Sequence, residues 1–267
     1  AASDVYKRQL VEQFLRAVPS FLTPGGVAQL LGNWESRGGQ VALTGRSGLD
    51  RLSSWVPGDL DLWVIQREEL SPLGYAELWI RDGGTTPRDA AFTPLLTAWL
   101  DDFTARGVTA VGFGYILVRR PAADGVPLRR LERVTQPVSN VGAALRAGLA
   151  AHDVLATGLP ATLLVAPDVT EARHLLPGND DPSIIELRQG GGFARTITVD
   201  PALAGFVGAC DGDLTVVQIV SALADLFEVP LVELWADLEP RIRQLVLDGL
   251  LVLVSYTHLT LPTTPYV

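Results

Sequence analysis

The amino-acid sequence predicts an α/β protein in which one half of a doubly wound sheet is followed by a small α+β domain. Two observations support this class. Apolar segments of strand length alternate with amphipathic helical segments over residues 10–120, which is the pattern of crossover units in a mainly parallel sheet. After residue 140 the order changes to short strands and then two closing helices, which is typical of an α+β domain with a winged-helix outline.

Helices and strands alternate in the α/β part. The expected helices are Leu10–Leu22, Pro72–Arg81 and Phe92–Phe103, which carry apolar residues at helical spacing. The expected strands are Val27–Asn33, Leu60–Gln66 and Val108–Arg119. We expect the first of these to be a buried parallel strand that opens into a loop at its carboxyl end. Residues 38–57, between the first two strands, are rich in Gly and Ser and indicate an irregular or helical insertion.

The second part of the chain begins after a segment rich in Pro, Gly and Arg, residues 121–140, which indicates a linker. A helix is expected first, and then three strands and a hairpin turn. These elements are Val141–Ala151, Thr162–Val169, Ser183–Leu187, Thr196–Val199 and the turn Gly190–Gly192.

Two helices and a strand are expected at the end of this part. Thr215 and Gln218 have the spacing of a capping box and predict the start of the first helix. The second helix begins at Leu231, and we expect Pro240 to interrupt it because proline lacks the backbone donor. A strand is expected at Leu250–Leu253.

The two ends of the chain are related through their DNA. Ala1–Gln9 can be back-translated so that the reverse complement encodes Val254–Leu261. Inverted copies of one sequence that flank a coding insert are typical of the adapters of a transposase-made sequencing library. We therefore interpret residues 1–9 and 254–267 as adapter-derived and exclude them from fold reasoning. The absence of Met and the position of the only lysine, Lys7, fit a natural segment that is cut at both ends.

The predicted organisation therefore has five parts. Residues 1–9 are adapter, 10–120 form a partial α/β domain, 121–140 a linker, 141–253 an α+β domain, and 254–267 are adapter again.

Composition restricts the partners. A net charge of −9 with one lysine argues against non-specific binding to nucleic acid or to anionic membranes, because both need clustered cations. The second of the two closing helices offers only Arg241 and Arg243 against several carboxylates, which argues against DNA. No apolar run reaches the length of a membrane span. The single cysteine, Cys210, excludes an internal disulfide, so we expect a cytoplasmic protein.

Several segments resemble a known family. PSFLTPGGVAQLLGNWE, DLWVIQRE followed by YAELWIRD, and WLDDFTARGVTAVGFGYILVRRP are similar to the carboxyl-terminal half of a class I S-adenosylmethionine-dependent methyltransferase. The resemblance is to an actinobacterial group related to the release-factor glutamine methyltransferases and to a ribosomal RNA guanine methyltransferase. LAGFVGACDGDLTVVQIVSALADLFEVP resembles the winged-helix-like extension of that group. Together these segments span nearly all of residues 10–253, and they imply a Rossmann-like sheet.

The chemical residues of that family have no counterpart here. Its glycine-rich cofactor loop, its acidic ribose ligand and its Asn-Pro-Pro-Tyr type motif are all missing from the sequence. The resemblance therefore implies that S-adenosylmethionine binds mostly outside this fragment, and neither a catalytic nor a cofactor-binding residue is predicted. The nearest match, Gly112-Phe113-Gly114, lies inside a strand, so we interpret these glycines as small residues that pack under a neighbour.

Candidate substrate-binding residues follow from the position of the strand ends. Ligands of open α/β sheets bind beyond the carboxyl ends of parallel strands. This rule selects six residues: Asn33, Trp34, Glu35, Gln66, Arg67 and Glu68. Asn33 could orient a planar amide or a base edge and Trp34 could stack on it. The alternatives are that Asn33 caps the strand, that Trp34 belongs to the core, and that Gln66–Glu68 form an exposed strand end with a local ion pair.

Other polar residues are weaker candidates. His152 and His174 have no partner at ligand spacing, and no metal site is predicted. The acidic residues Asp168, Glu171, Asp180 and Asp181 fit a solvated turn better than a calcium loop. Arg188 and Arg195 flank the triple glycine and could clamp an anion, but exposed hairpin charges explain them better. We expect Cys210 to be a small core residue.

The resemblance implies that the parent protein is a methyltransferase and that this chain is its truncated carboxyl-terminal portion. It would contribute a substrate-side wall and an accessory domain, and it would be inactive alone. The methyl acceptor is open between a protein glutamine, an RNA base and a small molecule. The alternative is a non-catalytic protein-interaction module that contains a winged helix. The upstream reading frame of the parent would discriminate between the two.

Overall fold

The computed structural model describes residues 2–38, 47–122 and 125–253, with side chains from Leu10 onward. Residues 254–267, interpreted above as adapter-derived, and residues 39–46 of the expected insertion lie outside these described residues. The chain folds as two compact units, Ala1–Thr135 and Gln136–Val267. Both units mix helices with strands, so the protein is of the mixed α/β type.

The first unit contains four helices and four strands in its described part. The helices are α1 (Ala2–Ala17, followed by a 3-10 turn at Val18–Phe21), α2 (Gly48–Ser53), α3 (Pro72–Asp82) and α4 (Phe92–Ala105). The strands are β1 (Val27–Arg37), β2 (Asp61–Leu70), β3 (Val108–Arg119) and β4 (Arg129–Arg133). They form one sheet in the order β1-β3-β2-β4. Strand β4 lies inside residues 121–140, so the segment interpreted as a linker contributes a strand that pairs with β2.

Strand β3 runs against its neighbours. It is antiparallel to both β1 and β2, whereas β2 and β4 are parallel, so β1, β2 and β4 share one direction. The reason is the number of helices before it. A single crossover helix would return the chain to the opposite end of the sheet, but the pair α3 and α4 returns it to the end where β2 finished. Accordingly Val111, near the start of β3, pairs with Leu70 at the end of β2.

Helices cover both faces of this sheet. On one face, side chains of α1 and α2 such as Leu15 and Leu52 pack with Leu62 and Ile116. On the other face, α3 and α4 contribute a cluster that includes Phe103. Strand β2 is buried on both faces over Asp61–Gln66, which explains its continuous apolar run.

The first two strands are longer than expected. Val27–Asn33 was expected to end in a loop, but β1 continues to Arg37, and β2 continues beyond Gln66 to Leu70. The expectation was wrong because long β3 offers pairing partners along this whole length. The candidate residues 33–35 and 66–68 are therefore strand residues. An irregularity in the pairing of β2 with β3 falls between Gln66 and Glu68.

The second unit contains four helices and six strands in its described part. The helices are α5 (Val141–Thr157), α6 (Pro201–Gly208), α7 (Val216–Leu226) and α8 (Leu231–Asp248). The strands are β5 (Thr162–Val165), β6 (Val169–Leu175), β7 (Pro182–Gln189), β8 (Thr196–Val199), β9 (Asp211–Thr215) and β10 (Leu251–Leu253). Two antiparallel three-stranded sheets result, β10-β5-β9 and β6-β7-β8. The hairpin expected around Gly190–Gly192 is confirmed as the connection between β7 and β8.

The closing helices follow their predicted signals with one exception. The capping box is confirmed, since Thr215 accepts from the backbone of Gln218 and the side chain of Gln218 accepts from the backbone of Thr215. Pro240, however, does not interrupt α8, which runs unbroken to Asp248. Leu238 and Ile242 are both fully buried on either side of the proline. Their burial stabilises the helix against the lost backbone hydrogen bond.

The core of the second unit gathers side chains from α6, α7, α8 and β5. Phe206, Val220, Leu238 and Leu250 are fully buried in it. Cys210 is also buried, its thiol donates a hydrogen bond to the carbonyl of Phe206, and burial raises its pKa to about 12. Among the described residues, no helix combines the length and the apolar character that crossing a membrane requires.

Candidate functional site

A small cavity lies at the carboxyl end of β1. It has a volume of about 140 Å³, close to the size of an engineered cavity that holds a benzene molecule. Its walls come from α1, β1, α2 and the turn after it, α3, and the segment that joins α4 to β3. The lining residues are Glu12, Asn33, Trp34, Glu35, Arg37, Arg51, Trp55, Tyr75, Arg106 and Val111. We call it the arginine cavity.

The carboxylate of Glu35 is the electrostatic centre of this cavity. Glu35 is 6% exposed, and both its oxygens lie 2.6 Å from Nη1 of Arg106. Arg37 donates to Oε2 of Glu35 over 2.8 Å. Burial alone would raise the pKa of Glu35, but the hydrogen bonds from Arg106 and Arg37 outweigh it and lower the pKa. Glu35 is therefore held as an anion by two guanidinium groups.

Arg106 also binds Asp102 one helical turn earlier, with Nη2 2.7 Å from Oδ2. Burial would lower the pKa of Arg106, but its hydrogen bonds to Asp102 and Glu35 raise it. Arg106 stands at the cavity because β3 is reversed. The start of β3 lies beside the end of β1, where Arg37 pairs with Val108.

Arg51 contributes a third guanidinium from α2. Its Nη1 donates to the backbone carbonyl of Glu35 over 2.8 Å, and its guanidinium lies 5.6 Å from the ring centre of Trp55. No carboxylate lies within ion-pair distance of Arg51 in the described part of the chain. Burial, followed by repulsion from Arg37, lowers its pKa. The Arg51 cation is thus less well compensated than those of Arg37 and Arg106.

Trp34 closes the floor of the arginine cavity. It is only 2% exposed, and its indole nitrogen donates to Oε1 of Gln66 over 3.0 Å. Two glycines make room for the indole. A Cβ at Gly48 would lie 2.4 Å from Cδ1 of Trp34, and a Cβ at Gly112 would lie 2.4 Å from Nε1. The interpretation of Gly112 as a small packing residue is confirmed, and the indole belongs to the core beneath the cavity.

Asn33 and Tyr75 separate the arginine cavity from a second one. Asn33 Nδ2 donates to the hydroxyl of Tyr75 over 2.6 Å, and both residues line both cavities. The second cavity has a volume of about 460 Å³ and is otherwise apolar, with Trp79, Trp99 and Phe113 among its walls. We call it the apolar cavity.

The second predicted set is only partly near the site. Gln66 supports Trp34 from behind and donates to Glu69 over 3.1 Å. Arg67 donates to the backbone carbonyl of Val134, and Glu68 is exposed. None of Gln66, Arg67 and Glu68 lines the arginine cavity. The structure thus brings together Asn33, Trp34 and Glu35, with Gln66 behind them.

Several cavity residues were not selected from the sequence. Arg51 and Trp55 belong to the insertion that follows β1 in the chain, so the carboxyl-end rule applied to the whole insertion would have pointed to them. Arg106 could be found only by recognising that β3 is reversed. Tyr75 lies among the apolar residues of α3, and no sequence signal separates it from the core.

The weaker candidates are engaged in local contacts. His174 lies 3.0 Å from Oε2 of Glu186, which also binds Arg188 over 2.7 Å. Arg195 pairs with Asp248 over 3.2 Å, so Arg188 and Arg195 do not form a common anion clamp. No group of three or more potential metal ligands occurs in the part of the chain that the structure describes.

The fold and the site define a mixed α/β protein with a charged cavity at the carboxyl end of β1. No protein-family model matches the chain, and no curated protein matches it with significance.

Proposed function

We propose that this chain is the carboxyl-terminal portion of an S-adenosylmethionine-dependent methyltransferase, in which the arginine cavity forms part of the acceptor wall. One observation carries the proposal. The parallel strands β1 and β2 direct their carboxyl ends to the same edge of the sheet, and the cavity lies at that edge. This is where open α/β sheets bind their ligands.

The sheet supports the same proposal. Mixed sheets occur among α/β proteins, and this sheet is mixed, since β3 lies between β1 and β2 and pairs antiparallel with both, whereas β2 and β4 pair in parallel. In the second unit, α7, α8 and β10 follow one another, with β10 paired to β5. This order fits the winged-helix-like extension that the resemblance implies.

The arginine cavity does not fit the cofactor itself. Its volume of about 140 Å³ is below the several hundred Å³ typical of sites for larger ligands. Arg37, Arg51 and Arg106 would also repel the sulfonium cation of S-adenosylmethionine. The arginine cavity is therefore not the cofactor site, and we assign that site to a part of the parent outside this chain because the cofactor motifs of the family have no counterpart in the sequence.

The residues of the cavity can bind and orient an acceptor. Asn33 lines both cavities, and its side-chain amide is held by the hydrogen bond to the hydroxyl of Tyr75. Glu35 stays ionised and holds Arg106 and Arg37 in place. In methyl transfer, positioning and exclusion of water are the main contributions of the protein. Trp34 sets the floor of the cavity. The acceptor stays open between a protein glutamine, an RNA base and a small molecule.

A second candidate function is a protein-interaction module. The turn between α7 and α8 exposes large apolar side chains, with Leu226 at 72% and Val232 at 79% exposure. Exposed apolar patches often mark partner surfaces. Asp225, Glu228 and Glu233 surround them, so this surface favours protein partners over DNA.

The proposal is tested by extending the chain with the upstream reading frame of its parent contig. The extended protein should bind S-adenosylmethionine in calorimetry and transfer its methyl group, whereas the present chain should bind none. A micromolar dissociation constant for the present chain, about −8 kcal/mol, would contradict the assignment of the cofactor site. An extended protein without cofactor binding would favour the interaction module instead.

In the extended protein, the variant Asn33→Ala tests whether Asn33 contacts the methyl acceptor. It should reduce turnover of the acceptor while cofactor binding stays unchanged. Asn179→Ala, at an exposed turn of the second unit, is the matched control and should change neither quantity. Wild-type turnover by Asn33→Ala would remove Asn33 from the acceptor wall.

A further inference from the structure

One arginine of the arginine cavity, Arg51, is not paired with a carboxylate at contact distance in the described residues, unlike the other two. Arg106 is balanced by Asp102 and Glu35, and Arg37 shares Glu35. Glu12, at the rim, is paired with Arg16 over 2.9 Å. Arg51 lines the same cavity, and no carboxylate of the described residues lies within ion-pair distance of its guanidinium, which Glu35 and Glu12 stabilise only from farther away.

The guanidinium of Arg51 is already oriented. Its hydrogen bond to the carbonyl of Glu35 and its contact with Trp55 fix one end of the group. Only one of its five N–H groups has an acceptor among the described residues. An anion that reaches the other N–H groups therefore displaces no acceptor of the described residues.

The remaining walls restrict the anion. Trp34, Trp55 and Tyr75 supply aromatic rings to its lining, and its volume admits a group of about the size of one six-membered ring. The cavity is lined by three arginines and two glutamates, so one bound monoanion balances its charge, whereas a dianion such as phosphate would leave it with a negative excess. A planar carboxylate matches one guanidinium in charge and in geometry.

We propose that the arginine cavity binds a planar monoanion, a carboxylate attached to an aromatic or similarly flat group, through Arg51. As a statement about the methyl acceptor this inference rests on the proposed function. As a statement about binding it does not, because it concerns the present chain without cofactor.

The experiment is a calorimetric or ligand-observed NMR titration of the chain with benzoate and with benzamide, its neutral isostere. Benzoate should bind with a dissociation constant on the order of 1 mM, the strength of a single small fragment. Benzamide should bind at least about tenfold more weakly because it lacks the charge. Equal affinity for both compounds, or tighter binding of inorganic phosphate than of benzoate, would overturn the proposal.

Variants locate the site. Arg51→Gln should weaken benzoate binding at least about tenfold, whereas Arg81→Gln, which removes the same charge from an exposed ion pair with Glu77, should leave it unchanged. Glu12→Gln removes a negative charge from the rim and should tighten binding about two- to threefold. Circular dichroism checks that each variant is folded. If Arg51→Gln does not fold, the Glu12→Gln variant still tests the site, because it should bind benzoate more tightly than the wild type. Unchanged affinity of Glu12→Gln for benzoate would contradict the site.

The two proposals fail separately. If the chain binds benzoate through Arg51 but the extended parent transfers no methyl group, the anion site is retained and the methyltransferase proposal is excluded. If the extended parent is active but the present chain does not bind benzoate, the methyltransferase proposal is retained and the proposal of a planar carboxylate ligand is excluded.

Discussion

The indole nitrogen of Trp34 donates to the side-chain oxygen of Gln66 across 3.0 Å. The two residues belong to β1 and β2, which are not neighbours in the sheet, because β3 lies between them. The hydrogen bond passes over Gly112 of β3, which is paired with Trp34 in the register. The floor of the arginine cavity therefore depends on three strands at one point.

Replacing Trp34 should mainly cost stability. Trp34→Ala should lower the free energy of unfolding by about 3–5 kcal/mol, the usual cost of removing a buried aromatic side chain. Trp34→Phe keeps most of the apolar volume but leaves Oε1 of Gln66 buried without this donor, at a cost of about 1–3 kcal/mol. Urea unfolding measures both. A decrease in the free energy of unfolding below about 1 kcal/mol for Trp34→Ala would favour the alternative, in which the indole stacks on a substrate.

Gly112→Ala should displace the same indole. The added Cβ would lie 2.4 Å from Nε1 of Trp34 and 2.7 Å from Oε1 of Gln66, so an expected cost of about 1–3 kcal/mol follows from overpacking. Gly74→Ala is the matched control in α3, where the nearest atom would be Oγ of Ser71 at 3.5 Å. It should be neutral or stabilise by up to about 1 kcal/mol. Tryptophan fluorescence should change in the first variant alone.

The ionised state of Glu35 should make stability depend on pH. Its folded pKa lies below the ordinary value of 4.5 because Arg106 and Arg37 outweigh burial. The stabilisation is therefore complete above 4.5 and is lost as the pH falls through the folded pKa. At about pH 7, Glu35→Gln should cost about 1–3 kcal/mol, because it removes the charged hydrogen bonds to Arg37 and to Arg106, which keeps Asp102. The difference from wild type should shrink below pH 4.5.

A suitable control for this experiment is Glu77→Gln, since Glu77 pairs with Arg81 at the surface over 3.6 Å. Its effect should stay within about 1 kcal/mol. Unfolding curves at several pH values measure both variants. A cost for Glu35→Gln that is the same at about pH 3 and pH 7 would contradict the ion-pair explanation.

Asn33 and Tyr75 should be energetically coupled. A double-mutant cycle with Asn33→Ala and Tyr75→Phe isolates the hydrogen bond between them, for which we expect a coupling energy of about 0.5–3 kcal/mol. Tyr75 is 9% exposed, so Tyr75→Phe should preserve its packing. Additive effects would mean that the two side chains contribute separately. In that case the wall between the cavities is not held by this contact.

The sequence predicted most elements of the first unit but not the direction of β3. Apolar periodicity locates a strand without giving its direction, which depends on how many helices precede it. Arg106 was missed for this reason, because its position beside Glu35 follows from the reversal. Asn33, Trp34 and Glu35 were selected by the rule for strand ends, and they do meet at one cavity.

Burial was harder to predict than position. Trp34 follows Asn33 at the point where the strand was expected to open, so the sequence left the indole free to face a ligand or the core. The structure buries it because Gly48 and Gly112, distant in sequence, both lack the side chain that would exclude it. Similarly, the buried apolar residues of α8 stabilise the helix enough to offset the hydrogen bond lost at Pro240. The proline alone does not indicate how well the rest of the helix is packed.

The thiol of Cys210 has a practical consequence. A group that is buried and ionises only near pH 12 does not react with maleimides at neutral pH, and the chain contains no other cysteine. A cysteine introduced at the mouth of the arginine cavity would thus be the only reactive one, without prior removal of the native thiol. A fluorophore or spin label attached there could report ligand entry directly in the unaltered fold.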